Sequence, residues 1–189
     1  EAYIKAANAN SNDRFGYLAL SGDTLAVGAY YEDSNQTTIT NGTTASSNNS
    51  SSDSGAVYVY KRTGTSWAQE SYIKAVNNDA DDQFSYYAVS LSGDTLAVGS
   101  VYEGSNQTTI TNGTTASTSG SAGYGAVFVY KRTGTSWAQQ AYVKAANANS
   151  NDRFGSRVAL SGDTLAVSAY YEDSNQTTIT NGTTASSNN

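Results

Sequence analysis

Short apolar and aromatic runs recur along the chain, separated by Gly-containing turns and long polar tracts. Phe15-Gly16-Tyr17-Leu18-Ala19-Leu20 is the first run. Ser21-Gly22-Asp23 breaks it with a tight-turn signal, and Thr24-Leu25-Ala26-Val27-Gly28-Ala29-Tyr30 is the second run. Together they predict a hairpin. After a polar stretch comes Gly55-Ala56-Val57-Tyr58-Val59-Tyr60, the clearest strand of the chain. Lys61-Arg62-Thr63-Gly64-Thr65 predicts a second turn, with Gly64 free to take positive φ, and residues 66–75 predict a fourth strand. β-branched and aromatic residues dominate these runs, and none has helical periodicity.

Strand side chains alternate between faces. Val57 and Val59 therefore oppose Ala56, Tyr58 and Tyr60, and Leu25 and Val27 oppose Thr24, Ala26 and Gly28. Neither face carries charge. A sandwich strand open to water shows one polar face, so these strands are expected to be covered on both sides, as in stacked blades.

The pattern repeats. Tyr3-Ile4-Lys5-Ala6 returns at Tyr72-Ile73-Lys74-Ala75 and at Tyr142-Val143-Lys144-Ala145, and Ser-Gly-Asp-Thr-Leu-Ala-Val begins at Ser21, Ser92 and Ser161. A fixed period signals an array of units that cannot bury their apolar faces alone. Three units follow: residues 1–71, opening within the last strand of a preceding blade; 72–141; and a truncated 142–189. Without the polar tract 31–54, one period matches the roughly 40–45 residues of a four-stranded propeller blade. The expected fold is all-β: tandem four-stranded antiparallel blades forming a partial β-propeller of about 2.7 repeats.

Phe15-Gly16 followed by Gly28-Ala29-Tyr30, and Phe154-Gly155 followed by Ser168-Ala169, resemble the FG-GAP repeat of integrin alpha-type β-propellers, with Tyr30 where Pro would stand. The second copy departs further, with Phe84-Ser85 and Gly99-Ser100. The Gly-Ala-Val strands at 55–60 and 125–130, the Ser-Gly-Asp-Thr-Leu-Ala-Val segments, and Trp67 and Trp137 opening the last strands resemble the bacterial, extracellular branch of that family. The resemblance implies blades and a binding role. Its calcium loop does not carry over, because a bare Ser-Gly-Asp turn offers one carboxylate where Ca²⁺ takes about six to eight oxygens.

The distance from Phe to the turn Gly varies between copies: Phe15 to Gly22, Phe84 to Gly93 and Phe154 to Gly162 span 7, 9 and 8 positions. One extra residue would flip every following side chain, so bulges are expected there.

Composition narrows function more than it assigns it. The chain has no Pro, Cys, Met or His, 15 Tyr, 17 Gly and a net charge of −6. Mild acidity with few Lys and Arg argues against nucleic acid. No apolar run is long enough for a membrane helix. There is no initiator Met or signal peptide, and the ends at Glu1 and Asn189 fall inside motifs, as in a mature product or the visible part of a longer one. With neither His nor Cys, the usual general base and thiol nucleophile are missing, so no enzyme is expected.

Oxygen-rich turns precede each Phe. They hold Asn8, Asn10, Asn12 and Asp13; Asp79, Asp81 and Asp82; and Asn147, Asn149, Asn151 and Asp152. Alternating Asn and Asp suits a hard cation such as Ca²⁺, and equally suits turns that cap their own backbone. Sequons at Asn35, Asn41, Asn48, Asn49, Asn106, Asn112, Asn175 and Asn181 are candidates for glycosylation. Thr37-Thr38-Ile39-Thr40 suits a strand pairing between copies or between chains, and equally a flexible tract. Lys61-Arg62 and Lys131-Arg132 read as solvated hairpin ends. The tryptophans read as packing between blades.

Two functions fit: an extracellular or cell-surface binding or adhesion module whose long loops meet a protein or glycan, and a structural protein that self-associates through open blade edges into fibres or a surface layer.

Overall fold

The computed structural model describes residues 1–183, 185 and 186. Among them there is no helix, so none is long and apolar enough to cross a membrane. The first sheet contains β1 (Phe15–Ser21), β2 (Thr24–Ala29), β3 (Thr40–Asn41), β4 (Ala56–Thr63) and β5 (Ser66–Ile73). The second contains β6 (Phe84–Ser92), β7 (Thr95–Ser100), β8 (Thr111–Asn112), β9 (Ala126–Thr133) and β10 (Ser136–Val143); β11 (Phe154–Ser161) and β12 (Thr164–Ala169) form a third. All pairings between strands are antiparallel, in the order β1-β2-β4-β5-β3 and its counterpart β6-β7-β9-β10-β8.

The hairpins follow from their turn residues. Ser21 pairs with Thr24, leaving a two-residue loop whose first position, Gly22, has φ +55°. A Cβ is disfavoured there, and glycine at the first loop position is the type II′ choice.

The expected bulges are present, and their sizes follow the spacing. Between Phe15↔Ala29 and Tyr17↔Gly28, β1 advances one residue more than β2. The same step carries two extra residues in β11, from Phe154↔Ala169 to Arg157↔Ser168, and three in β6, from Phe84↔Ser100 to Val89↔Val98. Beyond the bulge the registers agree: Leu20↔Leu25, Leu91↔Leu96 and Leu160↔Leu165. The apolar set stays on its face because the surplus is looped out.

The four-strand expectation is one strand short. Thr40 pairs with Tyr72 and Asn41 with Ser71, adding a two-residue edge strand outside β5; β8 does the same for β10. The long loop thus folds back onto its own sheet rather than pairing between copies. It covers an edge that would otherwise expose unpaired backbone groups.

The sheets lean on one another in chain order. β6 packs across β1, β2 and β4, and β11 packs across β6, β7 and β9. Val57 and Val59 join Phe84, Phe128, Tyr130 and Trp137 in one buried cluster between the first two sheets. Ala56, Tyr58 and Tyr60 line the opposite face, covered by Ile4, Ala6 and Phe15. This is a partial β-propeller with both faces of the central strands buried. Backbone bonds stitch each seam: Phe84 N donates to Ser54 O at 3.0 Å, Gln83 N to Asp53 O at 3.0 Å, and Phe154 N to Tyr124 O at 3.1 Å. The seam explains why Gly stands beside Phe. A Cβ on Gly55 would lie 2.2 Å from the carbonyl oxygen of Phe84, and one on Gly125 would lie 2.0 Å from that of Phe154.

Candidate functional site

The oxygen-rich turns serve their own backbone. Asp13 Oδ2 accepts from Asn10 N at 2.8 Å, Asp82 Oδ2 from Asp79 N at 3.0 Å, and Asp152 Oδ2 from Asn149 N at 2.8 Å. Asn12, Asp81 and Asn151 take left-handed φ of 73°, 65° and 70°, which Asn and Asp tolerate best among non-Gly residues. The three terminal aspartates are buried, while Asn10, Asn12, Asp79 and Asp81 are exposed. Among the described residues no group of three or more Asp, Glu, His or Cys is placed to hold a metal ion.

Burial is the main cause that raises the carboxyl of each buried aspartate above its ordinary value. It pushes Asp82 to about 8, helped by nearby Glu103 and opposed by the Asp79 N–H and the Ser119 hydroxyl.

Asn8 and Asn147 point inward. Asn8 Nδ2 donates to Glu32 Oε1 at 2.9 Å, and Asn147 Nδ2 to Glu172 Oε1 at 3.0 Å; Asn77, which sequence reasoning did not single out, does the same to Glu103 at 2.9 Å. Lys74 and Lys144 meet Glu32 and Glu103 in buried ion pairs of 2.8 and 2.7 Å. The sequence signal was the lysine that closes an apolar strand in every copy.

All eight sequon asparagines are exposed. Asn41 is also engaged: its Oδ1 accepts from Trp137 N at 2.8 Å and its Nδ2 donates to Trp137 O at 3.2 Å.

The chemically distinctive surface is a recess of about 430 Å³ where the second and third sheets meet. The bulges build it. The three-residue surplus of β6 delivers Tyr86 and Tyr87, with left-handed φ at Ser85 and Tyr87, and the two-residue surplus of β11, Gly155 and Ser156, ends at Arg157, which pairs with Ser168. Arg157 lies over the Tyr87 ring at 4.8 Å, and Arg153 sits between Tyr102 at 4.8 Å and Tyr171 at 4.7 Å. The buried Nε of Arg153 has no hydrogen-bond partner among the described residues. The aromatic surface continues onto the first sheet, where Tyr17 meets Tyr87 at 4.3 Å and Tyr30 meets Tyr86 at 4.8 Å. Burial and neighbouring phenols hold Tyr17, Tyr30 and Tyr86 above the ordinary tyrosine value, so these hydroxyls stay protonated.

Among the described residues no carboxylate lines the recess, although the chain as a whole is acidic. Two guanidinium groups and several ring faces can clamp a flat or sugar-like anion, since arginine binds carboxylate or sulfate through paired N–H donors. The set lacks a nucleophile–base pair. Sequence reasoning missed the recess because its residues come from different repeats.

A family profile described as the FG-GAP repeat matches residues 1–60 and 137–183, more than half of the chain. The second copy, with Phe84-Ser85 and Gly99-Ser100, lies between the matched segments. No curated protein matches the chain.

Proposed function

The chain belongs to the FG-GAP repeat family, and from that premise we propose that it is a non-catalytic binding or adhesion module of an extracellular or cell-surface protein, holding an acidic glycan in its tyrosine–arginine recess. FG-GAP propellers are generally non-catalytic and typical of extracellular proteins. The observation that carries the reading is the pair Arg153 and Arg157, laid on Tyr102, Tyr171 and Tyr87 in a recess without acids. Ring faces suit the apolar faces of sugars, and guanidinium groups suit their carboxylates. The exposed sequons fit a protein that itself carries sugar.

Calorimetry with oligogalacturonate, and with its methyl ester as the uncharged control, tests this. The acid is expected to bind and the ester to bind far more weakly. Arg157→Ala or Tyr87→Ala should each weaken the acid about tenfold, equivalent to about 1.4 kcal/mol. Equal binding of acid and ester, or of wild type and both variants, sinks the reading.

One observation favours the second reading, assembly through edges. Among the described residues β12 pairs only with β11, and alternate residues along it are exposed, whereas β2 and β7 are covered by β4 and β9. Light scattering over a dilution series distinguishes the two. A monomer at all concentrations removes assembly from consideration.

A further inference from the structure

Each five-stranded blade joins a buried lysine and a buried glutamate to a half-buried asparagine in one hydrogen-bonded group. In the first blade Lys74 Nζ donates to Glu32 Oε2 at 2.8 Å and Asn8 Nδ2 donates to Glu32 Oε1 at 2.9 Å. A single carboxylate thus holds an amine beside a carboxamide. Lys74 and Glu32 are each 1% exposed. The Tyr58 hydroxyl donates to Asn8 Oδ1 at 2.5 Å, which polarises the carboxamide carbon toward attack. The chain has no cysteine, so disulfides are closed to it as a covalent staple.

We propose that Lys74 and Asn8 join in an intramolecular isopeptide bond, with Glu32 carrying the protons and the Tyr58 hydroxyl holding the oxyanion. Lys74 first gives a proton to Glu32 and attacks Asn8 Cγ as the free amine. The new Nζ–Cγ bond forms while the carbonyl electrons move onto Oδ1, against the Tyr58 hydroxyl. Glu32 returns its proton to Nδ2 and takes one from Nζ. The Cγ–Nδ2 bond then breaks, ammonia leaves and an amide remains, with Glu32 protonated. No oxidant, reductant or cofactor enters. Burial supports the first step, because it lowers the Lys74 ammonium from its ordinary value while Glu32 pulls the other way. The bond would fasten the segment before β1 to the end of β5, locking the first blade across its width.

The second blade is a natural control. Lys144 and Asn77 meet Glu103 at 2.7 and 2.9 Å, but Phe128 stands where Tyr58 does, and the buried Asn77 Oδ1 has no partner among the described residues. That blade has the amine, the carboxylate and the amide without the oxyanion donor. In the third, Asn147 meets Glu172, and among the described residues no lysine pairs with that carboxylate.

The test is the intact mass of the purified full chain under denaturing conditions. The expected mass is lower than that of the sequence by one ammonia, and protease digestion should yield a branched peptide joining Asn8 to Lys74. Asn8→Ala should restore the full mass. Tyr58→Phe, which reproduces the second blade, should slow bond formation about 100-fold. Phe128→Tyr should add a second ammonia loss, joining Asn77 to Lys144. A full sequence mass after prolonged incubation, with the two peptides separate, overturns the proposal. So does an ammonia deficit that mild alkali reverses and that yields no branched peptide, the signature of a succinimide at a pair such as Asn41-Gly42.

Discussion

The outer hairpins of the first and second blades have nearly the same sequence and very different surroundings. Trp67 of β5 is half-buried and Trp137 of β10 is 2% exposed; the Arg62 side chain is 48% exposed and that of Arg132 is 12%. The difference lies in the neighbour. Trp137 Nε1 donates to Glu70 at 2.8 Å, and its backbone is held by Asn41 at both N and O. Arg132 reaches Asp94 in its own blade, and Glu70 at 3.2 Å and Thr24 at 3.1 Å in the previous one. Among the described residues the Arg62 side chain stays within its own blade, bonded to the corresponding turn residue Asp23 and lying over Trp67 at 5.9 Å. In a repeat array the same residues acquire their energetic weight from the adjoining unit.

The comparison breaks most completely at the seam. Gly125 has φ +79°, and a Cβ there would meet the backbone of Phe154, which cannot step aside as a side chain could. Gly64, in the exposed turn of the first blade, has φ +61° and open space around it. Gly125→Ala should cost more than about 4 kcal/mol, or prevent folding, while Gly64→Ala should cost only the left-handed penalty of about 1–2 kcal/mol. Urea unfolding followed by far-UV circular dichroism measures both. Equal losses would mean that the seam does not hold the blades together.

The tryptophans come next. Trp137→Ala removes a large, fully packed side chain and leaves Glu70 without its indole donor, at an expected cost of about 3–5 kcal/mol. Trp67→Ala should cost less than half of that, because its ring is already partly in water. Glu70→Ala should narrow the gap from the other side. If the two tryptophan variants unfold at the same urea concentration, the buried state of the second hairpin owes nothing to the first blade.

Much of this was legible in the chain because strand alternation is a strict period of two. The opposed sets Val57/Val59 and Ala56/Tyr58/Tyr60 fall into the two separate cores, and the uneven Phe-to-turn distances became bulges of one, three and two surplus residues. The fifth strands were legible only as a candidate strand at 37–40, and neither its short extent at Thr40–Asn41 nor its pairing with β5 could be read, since two residues inside a polar loop carry no periodic signal. Arg132 read as solvated like Arg62, because its partner Glu70 lies 62 positions away. The same distance problem hid the recess and the Lys74–Glu32–Asn8 group. Each is assembled by the tertiary arrangement from residues that look unremarkable one at a time.

Proton linkage sharpens the contrast between the blades. Asp82 precedes β6 and is enclosed by Ser119 of the second blade's long loop, so its folded value near 8 lies above the unfolded 3.8. The folded state therefore holds a proton that the unfolded state has lost. Stability from this group is complete below about pH 4 and declines as pH rises toward 8. Between pH 6 and 7 the loss should be about 1 kcal/mol. Asp82→Asn should flatten that slope, and Asp13→Asn, in the more open first blade, should change it less. An unfolding midpoint that rises with pH across this window contradicts the burial of Asp82.

The smallest difference concerns the paired turn aspartates. Asp23 and Asp94 each accept from the Nε and Nη2 of the arginine of their own blade, and both carboxylates are about half exposed. With Arg62 also half exposed, water competes fully, and Asp23→Asn should change stability by less than about 0.5 kcal/mol. Asp94→Asn should cost about 1 kcal/mol, because Arg132 is largely desolvated and loses one of its two carboxylates. The loss stays modest while Glu70 remains. Removing Glu70 and Asp94 together should therefore cost more than the sum of the single losses, since only the double variant leaves the guanidinium without a carboxylate. A double-mutant cycle at low salt reads that coupling, and strict additivity would show that Arg132 does not bridge the two blades energetically.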